Sequence, residues 1–154
     1  MTQKSQPFLF LYFMKIKVPL EIIELESHNY HLLVSSQFAD GSEGKWVIDT
    51  GASKSVFDQN LPDFYKLLDG IQEELHSAGF HDEPIKSSLA ALNSFSLGKM
   101  RIDEMKVAVI DLSHINALYS KYSQQTICGL LGGDFLIKYR AVIDYRKKML
   151  VLQK

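Results

Sequence analysis

Apolar and polar residues alternate one for one at the start of the patterned chain: Ile16, Val18, Leu20 and Ile22 are apolar, and Lys15, Lys17, Pro19 and Glu21 lie between them. A period of two puts one set of side chains on each face of an extended chain, so this stretch predicts a half-buried strand. Pro19 has no N–H to give a neighbouring strand, which assigns the segment to a sheet edge. The period returns at Tyr30, Leu32 and Val34, ahead of the turn-rich Ala39-Asp40-Gly41-Ser42-Glu43-Gly44. Lys45-Trp46-Val47-Ile48 follows as a short apolar strand, so residues 28–48 predict a hairpin.

Segment 71–110 is mostly β-like, with turn signals at Ala78-Gly79-Phe80-His81 and Leu97-Gly98-Lys99 and an alternating strand at Met105, Val107 and Val109. Ala141-Val142-Ile143-Asp144-Tyr145 and Met149-Leu150-Val151-Leu152 predict a closing hairpin over Arg146-Lys147-Lys148. Helical signals are brief. Leu61-Pro62-Asp63 followed by Phe64, Leu67 and Leu68 predicts a short helix with proline in its first turn. Ser113–Tyr119 predicts a helical turn capped by Ser113, and Asp134–Tyr139 a short helix capped by Asp134 or Gly133. Many short strands with brief helices predict an all-β domain, a small barrel or sandwich.

The chain has 154 residues, enough for one domain with one core. With 17 basic and 18 acidic residues and no basic block, electrostatic capture of nucleic acid or of an anionic membrane is not expected. A single cysteine, Cys128, excludes an intramolecular disulfide and fits a reducing compartment, so a cytoplasmic location is expected. Phe8-Leu9-Phe10-Leu11-Tyr12-Phe13-Met14 is an unbroken apolar run. A spanning helix needs roughly 20 such residues, and Lys15 and Lys17 end this one early, so stable membrane insertion is not expected. No small-residue cleavage site follows it, although so short a core leaves export as the alternative. Residues 1–13 are accordingly read as an N-terminal extension and 14–154 as the domain.

The chemistry concentrates where the strand Trp46-Val47-Ile48 runs into Asp49-Thr50-Gly51-Ala52-Ser53. An unpaired carboxylate at the end of a buried strand costs several kcal/mol or is forced to hold a proton. Thr50 offers a hydroxyl to fix the loop, Gly51 permits close backbone approach, and Ala52 and Ser53 keep the space small. As a bare tripeptide Asp-Thr-Gly recurs by chance; its context makes it specific.

That context resembles the active-site loop of aspartic peptidases. Leu130-Leu131-Gly132, followed by Gly133-Asp134-Phe135-Leu136, resembles the glycine segment that packs beneath such a loop, and the closing hairpin resembles the strand pair that ends these domains. The three segments occur in family order, and the likeness extends over residues 14–154. It is nearest to bacterial single-domain retropepsin-like peptidases. It implies a small closed acid-protease-like barrel of short strands with one or two short helices. It also implies an endopeptidase acting on extended polypeptide, with Asp49 as the catalytic residue.

Such chemistry needs two carboxylates. Two Asp side chains ~3 Å apart cannot both ionise, so they share a proton. The ionised member activates a water while the protonated one polarises the scissile carbonyl. Only one copy of the motif is present: Asp40-Gly41 and Asp69-Gly70 lack the middle residue, and Asp134 is followed by Phe135. A second identical subunit, related by a two-fold axis, is therefore expected to supply the other carboxylate. The resemblance further implies that Thr50 forms a cross-subunit lock, that the Gly51 carbonyl meets the substrate backbone, and that Ser53 lines the cleft. It implies a flap tip at Ala78, Gly79, Phe80 and His81, a departure from the glycine-rich flap of retroviral enzymes. Ala52 replaces the hydroxyl residue usual in pepsins, so activity is expected at mildly acidic rather than strongly acidic pH.

Competing readings are plainer. The histidines His28, His31, His76, His81 and His114 form no recognised ligand set, so neither a metal nor any other cofactor is expected. Cys128 reads as a small buried apolar residue, and Asp144 as a strand-end or surface acid. Gly129-Leu130-Leu131-Gly132-Gly133 lacks the Lys-Ser/Thr of a phosphate loop. The alternative function is a catalytically silent barrel used for dimerisation or peptide binding.

Overall fold

A computed structural model describes residues 14–75 and 85–154, with side chains described throughout except at 69–75 and 85–86. The extension 1–13 and the expected flap tip 78–81 lie outside the described residues.

The chain runs through β1 (Lys15–Pro19), β2 (Glu21–Glu26), β3 (Asn29–Phe38), β4 (Glu43–Ile48), β5 (Val56–Asp58), β6 (Tyr65–Leu75), β7 (Ile85–Leu92), β8 (Phe95–Leu97), β9 (Met100–Ile102) and β10 (Met105–Ile110). The helix α1 (Ser113–Ser123), β11 (Gly129–Leu131), the helix α2 (Gly133–Lys138), β12 (Val142–Asp144) and β13 (Met149–Gln153) complete it. The larger sheet follows the order β6-β7-β10-β5-β11-β4-β3-β8-β9, with β2 paired to β3, and the smaller is β1-β13-β12. The larger sheet curls as a half-barrel, so the expected all-β, barrel-like fold with one or two short helices holds.

The alternation that opens the domain is used twice. Ile16 and Val18 turn inward from β1, which among the described residues pairs only with β13, so Pro19 sits on an edge there as its missing N–H requires. At Leu20 the chain leaves that sheet, and β2 pairs instead with β3, burying Ile23 and Leu25. One alternating run thus serves two sheets. The predicted hairpin over 28–48 is β3–β4, and the predicted closing hairpin is β12–β13.

The helix expected from Leu61 is a correction. Only Pro62–Phe64 coils, as a single 3₁₀ turn, and Leu67 and Leu68 lie on β6, which pairs with β7. Apolar residues at 64, 67 and 68 fit a helical face locally, but a strand partner outweighs so short a signal. The helix at 113 is longer than expected and ends where Gln124 adopts a left-handed conformation (φ 56°). Asp111, not Ser113, serves its start: its carboxylate accepts from the Ser113 N–H (2.9 Å) and hydroxyl (2.5 Å).

The main core fills the space between the sheets. Trp46, fully buried, stacks on Phe95 at 5.4 Å between centroids, and its indole N–H donates to the buried Ser36 hydroxyl at 2.9 Å. Trp46, Phe57 and Leu131 are each wholly shielded, and burial of such side chains stabilises the fold by about 1.5–3 kcal/mol apiece. These residues sit on β4, β5 and β11, so the strands that carry the candidate site are anchored in the core.

Candidate active site

Strand β11 lies between β4 and β5, parallel to the first and antiparallel to the second. The chain that links β4 to β5 must therefore cross the end of β11, and that crossing is the segment 49–55. Next to the loop these strands are apolar and largely buried, through Trp46-Val47-Ile48 on β4, Val56-Phe57 on β5 and Leu130-Leu131 on β11, as a central position demands.

Asp49 is half-buried at the end of β4, while Thr50 next to it is exposed. The Asp49 N–H donates to the Leu131 carbonyl at 3.0 Å, extending the β4–β11 ladder into the loop. The carboxylate accepts the Gly51 N–H at 3.0 Å, and the Asp49 carbonyl accepts the Ala52 N–H at 3.2 Å. Its side chain is thereby held in one direction. A Cβ on Gly51 would stand 3.3 Å from the carboxylate oxygen, so the loop wraps the acid closely.

The segment 130–135 supports this loop from below. The Gly133 N–H donates to the Ala52 carbonyl at 2.7 Å, and the Asp134 N–H to the Ser53 carbonyl at 3.2 Å. A Cβ on Gly132 would lie 2.7 Å from the Ala52 carbonyl oxygen and 2.8 Å from the Lys54 carbonyl, so only glycine fits beneath the loop without displacing backbone.

Two side chains that the sequence reading did not assign to the site complete the support. Ser55, fully buried, donates its hydroxyl to the Asp134 carboxylate at 2.7 Å and accepts the Gly132 N–H at 2.9 Å. The same carboxylate oxygen accepts the N–H groups of Ser55 (2.9 Å) and Phe135 (2.8 Å). The cap of α2 is Gly132, not Asp134 or Gly133 as expected; Asp134, in the first turn, instead ties α2 to the far end of the active-site loop. Adjacency of Gly-Gly-Asp to the glycine segment was the only available signal, since Ser55 and Asp134 are 79 positions apart.

Beside Asp49 opens a pocket of about 400 Å³. Its apolar walls include Leu32, Val47, Ile115, Leu118, Ile127 and Leu130, and Asp49 and Thr50 form part of its lining. Helix α1 supplies one wall, and Tyr119 on it is the helix's buried residue. The Tyr119 hydroxyl lies 2.8 Å from Nδ1 of His31 on β3, with the rings edge to face at 86°. Burial and, secondarily, the charge of Asp49 push the Tyr119 hydroxyl up to about 12 from its ordinary 10.0. None of these pocket aromatics was singled out by sequence; His31 figured only in a histidine set without ligand spacing.

Cys128 matches its sequence reading. It is buried, its thiol donates to the Lys45 carbonyl at 3.2 Å, and burial drives its ionisation well above the usual thiol range. Asp144 lies at the end of β12, where it accepts the Lys147 N–H at 2.8 Å. Among the described residues, no three His, Cys, Asp or Glu side chains cluster closely enough to hold a metal ion.

Cys128 and Tyr119 share an alkaline consequence. Each loses its proton at a higher pH folded than unfolded, so the unfolded state releases protons first and gains from rising pH. Stability is expected to fall from about pH 9 upward, the range beginning at the ordinary thiol value of 9.0. Denaturant titrations between pH 8 and 11 check this, with Cys128→Ala expected to flatten the early part of the decline.

Comparison with known proteins places the chain. A family model described as aspartyl protease matches residues 34–135, which include the active-site loop, helix α1 and the glycine segment. The chain belongs to the aspartyl protease family, and the resemblance stated from its sequence holds at that level. Among solved structures, a retropepsin-like aspartic protease from Rickettsia conorii is 19% identical with a TM-score of 0.49, the match covering 91% of this chain and 90% of that one. The structure of edgp is 8% identical with a TM-score of 0.57, covering 92% of this chain and 46% of that longer one, a likeness of fold. No curated protein sequence matches the chain. Among the described residues, no helix is long and apolar enough to cross a membrane.

Proposed function

We propose that this chain is an aspartic endopeptidase that works as a homodimer, with Asp49 of each subunit forming one proton-sharing pair. The observation that carries the reading is a half-buried carboxylate held by the Gly51 N–H at 3.0 Å at the lip of an open apolar pocket. A surface acid of merely structural use has no need of a loop braced by a buried serine and a close-packed glycine. The exposed Thr50 beside it is available to a two-fold mate, as a cross-subunit lock requires. Gly51 presents its carbonyl to the substrate backbone, and Ser53 lines the cleft.

In this mechanism the ionised member of the pair takes a proton from water as the water adds to the scissile carbonyl. The protonated member hydrogen-bonds the carbonyl oxygen, and the proton then passes to the leaving amine. A denatured protein mixture incubated with the chain, with and without a statine peptide, tests the reading: new fragments that the analogue suppresses are expected. A chain that binds the statine peptide and cuts nothing would instead match a silent peptide-binding barrel.

The functional domain is residues 14–154. The boundary is supported by the β1–β13 ladder, which includes Lys15↔Gln153, and by the Lys154 N–H donating to the Met14 carbonyl at 3.3 Å. A chain begun at Met14 should unfold with the same midpoint and cut the same substrates. A lower midpoint would make residues 1–13 part of the core.

A further inference from the structure

Every wall of the pocket beside Asp49 is apolar except at the Tyr119–His31 pair, Asp49 and Thr50, and the tyrosines Tyr30 and Tyr145 at its margin. Among the described residues, no lysine or arginine lines it. An acidic side chain entering here would meet Asp49 and no cation, which excludes it. A plain hydrocarbon would fill the walls and leave the polar pair unanswered.

The pair has a fixed hydrogen-bonding character. Tyr119 Oη and His31 Nδ1 share one proton across 2.8 Å. If the tyrosine donates, His31 carries its proton on Nε2, leaving an N–H donor there and a free lone pair on the tyrosine oxygen. If Nδ1–H donates, the tyrosine O–H is free to donate and Nε2 accepts. In either neutral arrangement the pair offers one donor and one acceptor. No described residue takes up His31 Nε2. Tyr119, 3% exposed, lies in one buried cluster with Leu33, Val47 and Ile127.

We infer that this pocket receives the substrate side chain next to the scissile bond, and that the Tyr119–His31 pair selects one with a long apolar body and a neutral hydrogen-bonding tip, tyrosine foremost. The inference rests on the peptidase reading of Asp49 and deepens it. A phenol fits because its ring meets the apolar walls while its hydroxyl, both donor and acceptor, answers either arrangement of the pair. Phenylalanine fills the same space with no answer, and a site left with unmet polar groups discriminates against it.

Two peptides differing only in Tyr or Phe before the cleaved bond test this, together with reduced-amide versions that bind without being cut. Wild type is expected to show kcat/KM about tenfold higher for the Tyr peptide, the equivalent of one good hydrogen bond. Tyr119→Phe keeps the ring and its packing, and should bring the ratio near one. His31→Leu should do the same from the opposite strand, which guards against a folding defect in either variant. Equal cleavage of both peptides by wild type, or an unchanged ratio in folded variants, overturns the inference and leaves the peptidase reading standing. If nothing is cut yet the reduced-amide pair binds with the tenfold preference, the pocket assignment survives and the peptidase reading falls. Absence of both cleavage and binding overturns both.

Discussion

Asp49→Asn is expected to lower kcat by about 10²–10⁴-fold, the range that a positioned acid–base group contributes. The substitution nearly preserves shape, and an amide oxygen can still accept the Gly51 N–H that the carboxylate takes at 3.0 Å. Loop geometry and stability should therefore stay within about 0.5 kcal/mol of wild type. What disappears is the ability to share one proton between two acids and to take a proton from water. Single-turnover cleavage of a peptide by matched, folded preparations gives the comparison. Turnover equal to wild type would remove Asp49 from the chemistry and leave it a turn carboxylate.

Gly132→Ala should carry a large cost to the fold for a one-methyl change beneath the active-site loop. Its backbone is extended (φ −96°, ψ −171°), a conformation open to any residue, so strain in its own dihedrals is not the issue. The obstacle is space, because the new methyl would sit 2.7 Å from the Ala52 carbonyl oxygen and 2.8 Å from that of Lys54. Backbone must move, and overpacking of this kind costs about 1–3 kcal/mol, or roughly 2–12 °C in Tm for a domain of this size. The part that moves is the loop holding Asp49. Misplacing a catalytic group by about 1 Å costs on the order of 100-fold in rate, so activity should fall further than stability alone explains. Thermal melts and kcat on the same preparation separate the two effects. A normal melt with normal kcat would show that the segment beneath the loop does not govern its position.

The sequence disclosed what local periodicity and turn chemistry encode. Alternation at 15–18 and the apolar run at 149–152 each predict a strand, and the two pair with each other; Asp40-Gly41 marked the turn between β3 and β4, where Gly41 takes a left-handed φ of 85°. It disclosed less where the partner is remote. Nothing near Leu20 announces that one alternating run divides between two sheets, and the apolar spacing at Phe64, Leu67 and Leu68 suits a helix until β7 arrives to pair with β6. The centre of the site, Asp49 through Ser53 over Leu130-Leu131-Gly132, was legible because all of it follows one recognisable motif order. The brace of Ser55 on Asp134 and the contact of His31 with Tyr119 were not. Their partners lie 79 and 88 positions apart, and isolated serines and histidines carry no signal of what they will meet.

The proposed mechanism stands or falls on whether one active site contains Asp49 from two chains. Mixing subunits addresses this most directly: wild type is unfolded and refolded, or equilibrated above its dimer dissociation constant, with a ninefold excess of Asp49→Asn chains. Random pairing then leaves about one-tenth of wild-type chains with a wild-type mate, and heterodimers hold one ionisable aspartate instead of two. A shared dyad predicts that activity falls to about one-tenth of that given by the same wild-type protein alone. Undiminished activity after mixing would contradict it, and would mean that Asp49 does not pair with its own counterpart.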